Sequence, residues 1–92
     1  MSEGKKVEAV FTVTNELGLH FRAAAMVVRT VGGFQCEIAI SNGDTVADAR
    51  SVLDLMTLAA SRGSTLHVTA EGSDADAAVA ALGALIARNF AE

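Results

Sequence analysis

Among the side chains able to do chemistry, His20 and Arg22 stand out in the stretch Asn15-Glu16-Leu17-Gly18-Leu19-His20-Phe21-Arg22-Ala23-Ala24-Ala25. Gly18 can take the positive φ that a strand-to-helix turn often requires, which puts His20 at the N-cap of the following helix or beside it. The first N–H groups of a helix lack intrahelical partners and carry a partial positive charge, an arrangement that attracts phosphate. A neutral imidazole is a nucleophile. The charge it gains on phosphorylation can be met by those N–H groups and by the planar fork of an arginine. The pair therefore fits phosphoryl transfer. The spacing alone equally admits a plain capping histidine followed by a solvated arginine, although a cation in the first turn opposes the helix dipole by about 0.3 to 1 kcal/mol.

The other reactive side chains read as structural. His67 alternates with Thr65 and Thr69 on what should be a solvent-facing strand face. Cys36 alternates with core residues, as a buried thiol does. Asp74 and Asp76 fall where a helix N-terminus favours negative charge, so no metal site is expected. Gly32-Gly33 is a helix stop, because no Walker-type Lys-Ser/Thr follows it.

The elements that must position His20 follow from periodicity. Val7, Ala9, Phe11 and Val13 alternate with mostly polar neighbours over residues 6–14, predicting a half-buried strand. Ala24, Val27, Val28 and Val31 recur at helical steps, predicting a helix from Phe21 to Val31 that stops at Gly32-Gly33. A second strand over Phe34 to Ile40 meets a third near Thr45 to Ala49 across the hairpin signal Asn42-Gly43. A short helix over Ser51 to Ala60 starts at a Ser51 cap, a fourth strand carries Leu66, Val68 and Ala70, and Ser73 or Asp74 caps a last helix whose stripe runs from Ala78 to Phe90. The order β-α-β-β-α-β-α predicts an α+β open-faced sandwich, a four-stranded antiparallel sheet with three helices on one face.

Size and charge set the limits. With 92 residues, 51% of them hydrophobic, the chain fits a single domain over 1–92 with a small core. Seven Lys and Arg against eleven Asp and Glu leave −4, which argues against nucleic acid or an anionic membrane as partner. One cysteine excludes an internal disulfide and points to a reducing cytoplasm. The polar run Met1 to Lys6 has no signal-peptide character, and the apolar stretch Ala77 to Ala87 is too short to span a bilayer.

Gly18-Leu19-His20-x-Arg22-x-Ala24-Ala25 resembles the active-site signature of the HPr family, the histidine-containing phosphocarriers of the bacterial phosphotransferase system. Ala49 to Leu53 with Leu55 to Leu58 resembles that family's second helix and regulatory serine. Val68 to Gly72 with Asp74 and Asp76 resembles its last strand and helix start, so the likeness spans practically the whole chain. It implies that His20 accepts a phosphoryl group at Nδ1 from phosphorylated enzyme I and passes it to enzyme IIA domains in sugar transport, with Arg22 on the phosphoryl oxygens. The backbone N–H groups of Phe21, Arg22 and Ala23 would form the cradle. Ser51 becomes the candidate regulatory phosphosite of an HPr kinase/phosphorylase. The implied protein is a cytoplasmic monomer that needs no cofactor or metal and is a carrier, not a stand-alone enzyme. An adaptor that signals by protein contacts with little or no sugar transport is the alternative, and a ligand-binding or structural module is a third reading.

One position departs from the family pattern. A proline usually follows the arginine; here Ala23 restores an N–H, which either loosens the start of the helix or turns one more donor toward the phosphate. The short helix also holds more apolar residues than one face can bury. If Leu55 and Leu58 face the sheet, then Val52, Leu53 and Met56, with Thr57, face outward as a docking patch, with Arg22, Arg29 and Arg50 as the nearby cations.

Overall fold

The computed structural model describes residues 5–91; the start of the polar N-terminal run, residues 1–4, and Glu92 lie outside the described residues. Half-buried Val7, Ala9 and Phe11 alternate with exposed neighbours to form β1 (Lys6–Thr12). Helix α1 (Phe21–Val31) follows, then β2 (Glu37–Asn42), β3 (Thr45–Asp48), α2 (Val52–Met56), β4 (Thr65–Glu71) and α3 (Ala75–Ala87). The strands pair antiparallel in the order β1-β4-β2-β3. The register sets Ala9, Val68, Ile40 and Ala47 in one row across the sheet, on the face the helices cover. Period-two alternation then leaves Glu8, Val10, Glu37, Thr65 and His67 exposed on the open face. The expected open-faced sandwich is the fold.

The core lies between that row and the helices. Ala24, Val27 and Val31 of α1 and Ala78, Leu82 and Leu85 of α3 are fully buried, and α1 packs against both α2 and α3. Small alanines at these contacts let helix and sheet backbones approach closely, which suits a chain with only four aromatic residues.

Several expected boundaries move, each for a visible reason. The second strand starts at Glu37, three residues after Phe34, because side chains take the backbone groups that would otherwise join the ladder. Arg50 donates to the carbonyls of Phe34 (2.8 Å) and Cys36 (2.6 Å), and Asp74 accepts from the N–H groups of Gln35 (2.7 Å) and Cys36 (3.0 Å). Asp74 is thus the N-cap of α3 in position, but its carboxylate caps the start of β2 and makes no bond to its own helix. The second helix ends at Met56 instead of running to Ala60, since Ala59 turns left-handed at φ 48° to bring Ala60 into the core. The stripe expected to run down α3 stops at Ala87. Phe90 reaches the core from a left-handed turn, Asn89–Ala91.

Candidate functional site

The segment between β1 and α1 is held from both sides before it reaches His20. Past the end of β1, the Val13 N–H donates to the Ser64 carbonyl (2.9 Å) and Gly63 N–H returns a bond to Val13 (2.8 Å). Asn15 is the buried polar residue among those described; its Nδ2 donates to the Gly18 carbonyl (2.8 Å), while Gly18 N–H donates back to the Asn15 carbonyl (3.2 Å). Gly18 has φ +66°, and a Cβ there would fall 2.5 Å from the Ala60 carbonyl oxygen, so no other residue fits without movement. The Leu19 N–H then donates to that same Ala60 carbonyl (2.9 Å), and its side chain is buried. Loop and α2–β4 connection are therefore one assembly.

His20 leaves this clamp in an extended conformation, φ −79° and ψ 179°, as the N-cap of α1. Its carbonyl accepts the first helical bond from Ala24 N–H (2.9 Å), and its Nδ1 accepts from Ala23 N–H at 3.4 Å. An Nδ1 that accepts carries no proton of its own, so in the neutral ring the proton is on Nε2, and the Nδ1 lone pair faces the Ala23 N–H. His20 is thus a capping histidine, and its capping atom is Nδ1. No acidic residue lies in the first turn of α1. Leu17, His20, Phe21 and Arg22 line one shallow surface depression, with Arg22 exposed at its side. Phe21 and Leu17 are 65% and 69% exposed, side by side in this depression.

The remaining residues singled out in the sequence divide. Ser51 is the N-cap of α2, its Oγ accepting from Asp54 N–H (3.1 Å), and the Asp54 carboxylate in turn accepts from Asp48 N–H (2.9 Å). Leu55 and Leu58 are buried, leaving Leu53 79% and Met56 38% exposed with Thr57 beside them. Val52 departs from the outward set, being half-buried against the core. Arg50 is not available as a docking cation, because its guanidinium donates to the carbonyls of Val31 (3.1 Å), Phe34 and Cys36. Arg29 is in the last turn of α1, about 13 Å along the axis from His20. His67 is exposed on the open sheet face and Cys36 is buried, as expected.

Among the described residues Asp74 and Cys36 are shifted, both where Asp74 and Arg50 brace the backbone just before β2. The N–H of Gln35 beside Asp74 holds that carboxyl below its usual range, and burial pushes the Cys36 thiol up. Among the described residues no cluster of His, Cys, Asp and Glu could hold a metal, and no helix is long and apolar enough to cross a membrane. Asn15 joins the site with no expectation attached to it from the sequence. The available signal was an asparagine three residues ahead of a glycine, a turn-forming pair.

Residues 7–88 match the family model described as the PTS HPr component phosphorylation site. Phosphocarrier protein HPr of Xylella fastidiosa is 40% identical over 86 residues, covering 94% of this chain and 97% of that protein. Phosphocarrier protein NPr of Shewanella violacea is 41% identical over 87 residues, covering 95% and 96%. In three dimensions the crystal structure of HPr from Thermoanaerobacter tengcongensis superposes with a TM-score of 0.88 at 34% identity, over 94% of this chain and 97% of that one.

Proposed function

This chain belongs to the HPr family of phosphotransferase-system phosphocarriers, and we propose from that premise that His20 is its phosphoryl acceptor. The Nδ1 lone pair forms the N–P bond as the bond between phosphorus and the donor breaks, its electron pair leaving with the donor atom. The ring keeps its Nε2 proton. Phosphorylated enzyme I is the donor and an enzyme IIA domain the acceptor, so the protein is a cytoplasmic, monomeric, single-domain carrier between two larger partners.

The observation that carries this reading is the His20 Nδ1, which accepts a hydrogen bond at the N-terminus of α1 and is therefore the unprotonated ring nitrogen, whose lone pair can attack phosphorus once it turns from that donor. Around it the chain's groups have separate tasks. The N–H groups of Phe21, Arg22 and Ala23 receive phosphoryl oxygens, and the exposed Arg22 guanidinium adds a fork-shaped donor set. The cation that opposes the helix dipole in the resting protein thereby gains an anionic partner. Exposed Leu53 and Met56, with Thr57 and the accessible edge of Val52, form the docking patch. Ser51 is the regulatory candidate. Phosphate on its Oγ would displace the Asp54 N–H cap and bring negative charge beside Asp48 and Asp54, changing the patch electrostatically.

The relay tests this directly. With phosphoenolpyruvate, enzyme I and an enzyme IIA domain, the wild-type protein should carry label to the IIA domain, and His20→Ala should stop it. Label reaching IIA at the wild-type rate through His20→Ala would overturn the assignment.

A further inference from the structure

We infer that the backbone N–H of Ala23 is a donor that moves from one acceptor to another during the reaction and so sets how tightly the phosphoryl group is held; the inference rests on the carrier reading of His20. In the resting protein this N–H points at His20 Nδ1 at 3.4 Å. Ala23 is the third residue of α1, and the first helical bond is made by the next amide, Ala24 N–H to the His20 carbonyl. The Ala23 donor thus has no helical carbonyl to satisfy and is committed to the histidine.

Phosphorylation removes that acceptor. The Nδ1 lone pair, turned from the Ala23 N–H to the phosphorus, becomes the N–P bond, the pair of the broken donor bond departs with the leaving group, and no proton is exchanged at Nδ1. The acceptors now nearest the Ala23 N–H are the oxygens on the phosphorus that Nδ1 has bound. A bond to an anionic oxygen is shorter and roughly twice as strong as one between neutral groups, so the amide exchanges a long, weak contact for a charge-assisted one. It therefore favours the phosphorylated state. A proline at this position has no N–H, and where the family's usual proline stands this contribution is missing.

Two readouts separate this role from a merely structural one. In the amide proton–nitrogen spectrum, phosphorylating the wild-type protein should move the Ala23 resonance far more than those of Met26 to Arg29, which lie further along the same helix. In the equilibrium between phosphorylated enzyme I and carrier, Ala23→Pro should lower the equilibrium constant for carrier phosphorylation about tenfold, and Ala23→Gly, which keeps the N–H, should restore it. An Ala23 amide that moves no more than the later helix residues would overturn the inference, as would an Ala23→Pro equilibrium equal to wild type. The spectrum decides the matter even if Ala23→Pro does not fold. Phosphoramidate, a small donor that needs no partner, keeps the two levels apart. If it leaves no acid-labile phosphate on wild-type His20, the carrier reading falls and this inference with it; if it does and the Ala23 predictions fail, only the inference falls.

Discussion

Gly18→Ala tests whether the His20 loop and the α2–β4 connection are one rigid assembly, and Gly43→Ala is its internal control. Both glycines have nearly the same backbone, φ +66° and φ +63°. An alanine in the left-handed region costs about 1–2 kcal/mol, of which about 0.4–1 kcal/mol is returned by restricting the unfolded chain. At Gly43 a Cβ meets nothing within 4 Å, so that difference, about 1 kcal/mol, is the whole effect. At Gly18 the same Cβ would lie 2.5 Å from the Ala60 carbonyl oxygen and 2.8 Å from the Ser61 Cα, both backbone atoms that cannot swing aside. The loop must retreat and give up the Leu19 N–H bond to Ala60, worth about 0.5–1.5 kcal/mol net, along with part of the packing of Leu19. The total is about 2–4 kcal/mol, a large part of the stability of a domain this size. Urea unfolding followed by circular dichroism should place Gly18→Ala at least about 1 kcal/mol below Gly43→Ala, and phosphoryl transfer should slow only in the former. Equal losses within about 0.5 kcal/mol would refute the claim that the clamp positions His20.

Other consequences follow from the brace and the patch. Arg50→Lys keeps the charge but not the fork that reaches Val31, Phe34 and Cys36, and should cost about 1–3 kcal/mol by denaturant midpoint; an unchanged midpoint would mean those bonds add nothing. The Asp74 carboxyl is depressed, so its stabilisation is present above its unfolded value, near 3.8, and is lost as pH falls through the lower folded value. Asp74→Asn should accordingly be less stable than wild type at pH 7, with the gap closing as pH falls below about 4; a gap constant with pH would remove the role given to the charge. Leu53→Ala, at a 79% exposed position, should leave the thermal midpoint within about 2 °C while raising the KM for enzyme I several-fold, and steady-state transfer kinetics at varied carrier concentration would show whether it does.

Local pattern made much of this molecule legible. The helical spacing of Ala24, Val27 and Val31 with the stop at Gly32-Gly33 marks α1 to the residue, alternation marks β1, β2 and β4, and the Asn42-Gly43 turn marks β3. The position of His20 at a helix start was readable for the same reason, since Gly18 and the apolar run on either side specify a turn and then a helix. The misplaced boundaries share a different origin. The start of β2 is set by Arg50 and Asp74, which are up to 39 residues away in the chain, and no local pattern reports which carbonyl a distant guanidinium will reach. Arg50 looked like a docking cation for that reason. Asn15 and its bond to Gly18 were hidden in what reads as an ordinary polar turn, and the left-handed Ala59 has no residue-type signature at all.

The measurement that bears most directly on the central claim is the intact mass of wild type and His20→Ala after incubation with phosphoenolpyruvate and enzyme I, read before and after brief acid treatment. The wild type should gain one phosphoryl group, lost in acid and stable in alkali, and the variant should gain none. An acid-stable phosphate, or one that His20→Ala still acquires, would contradict it.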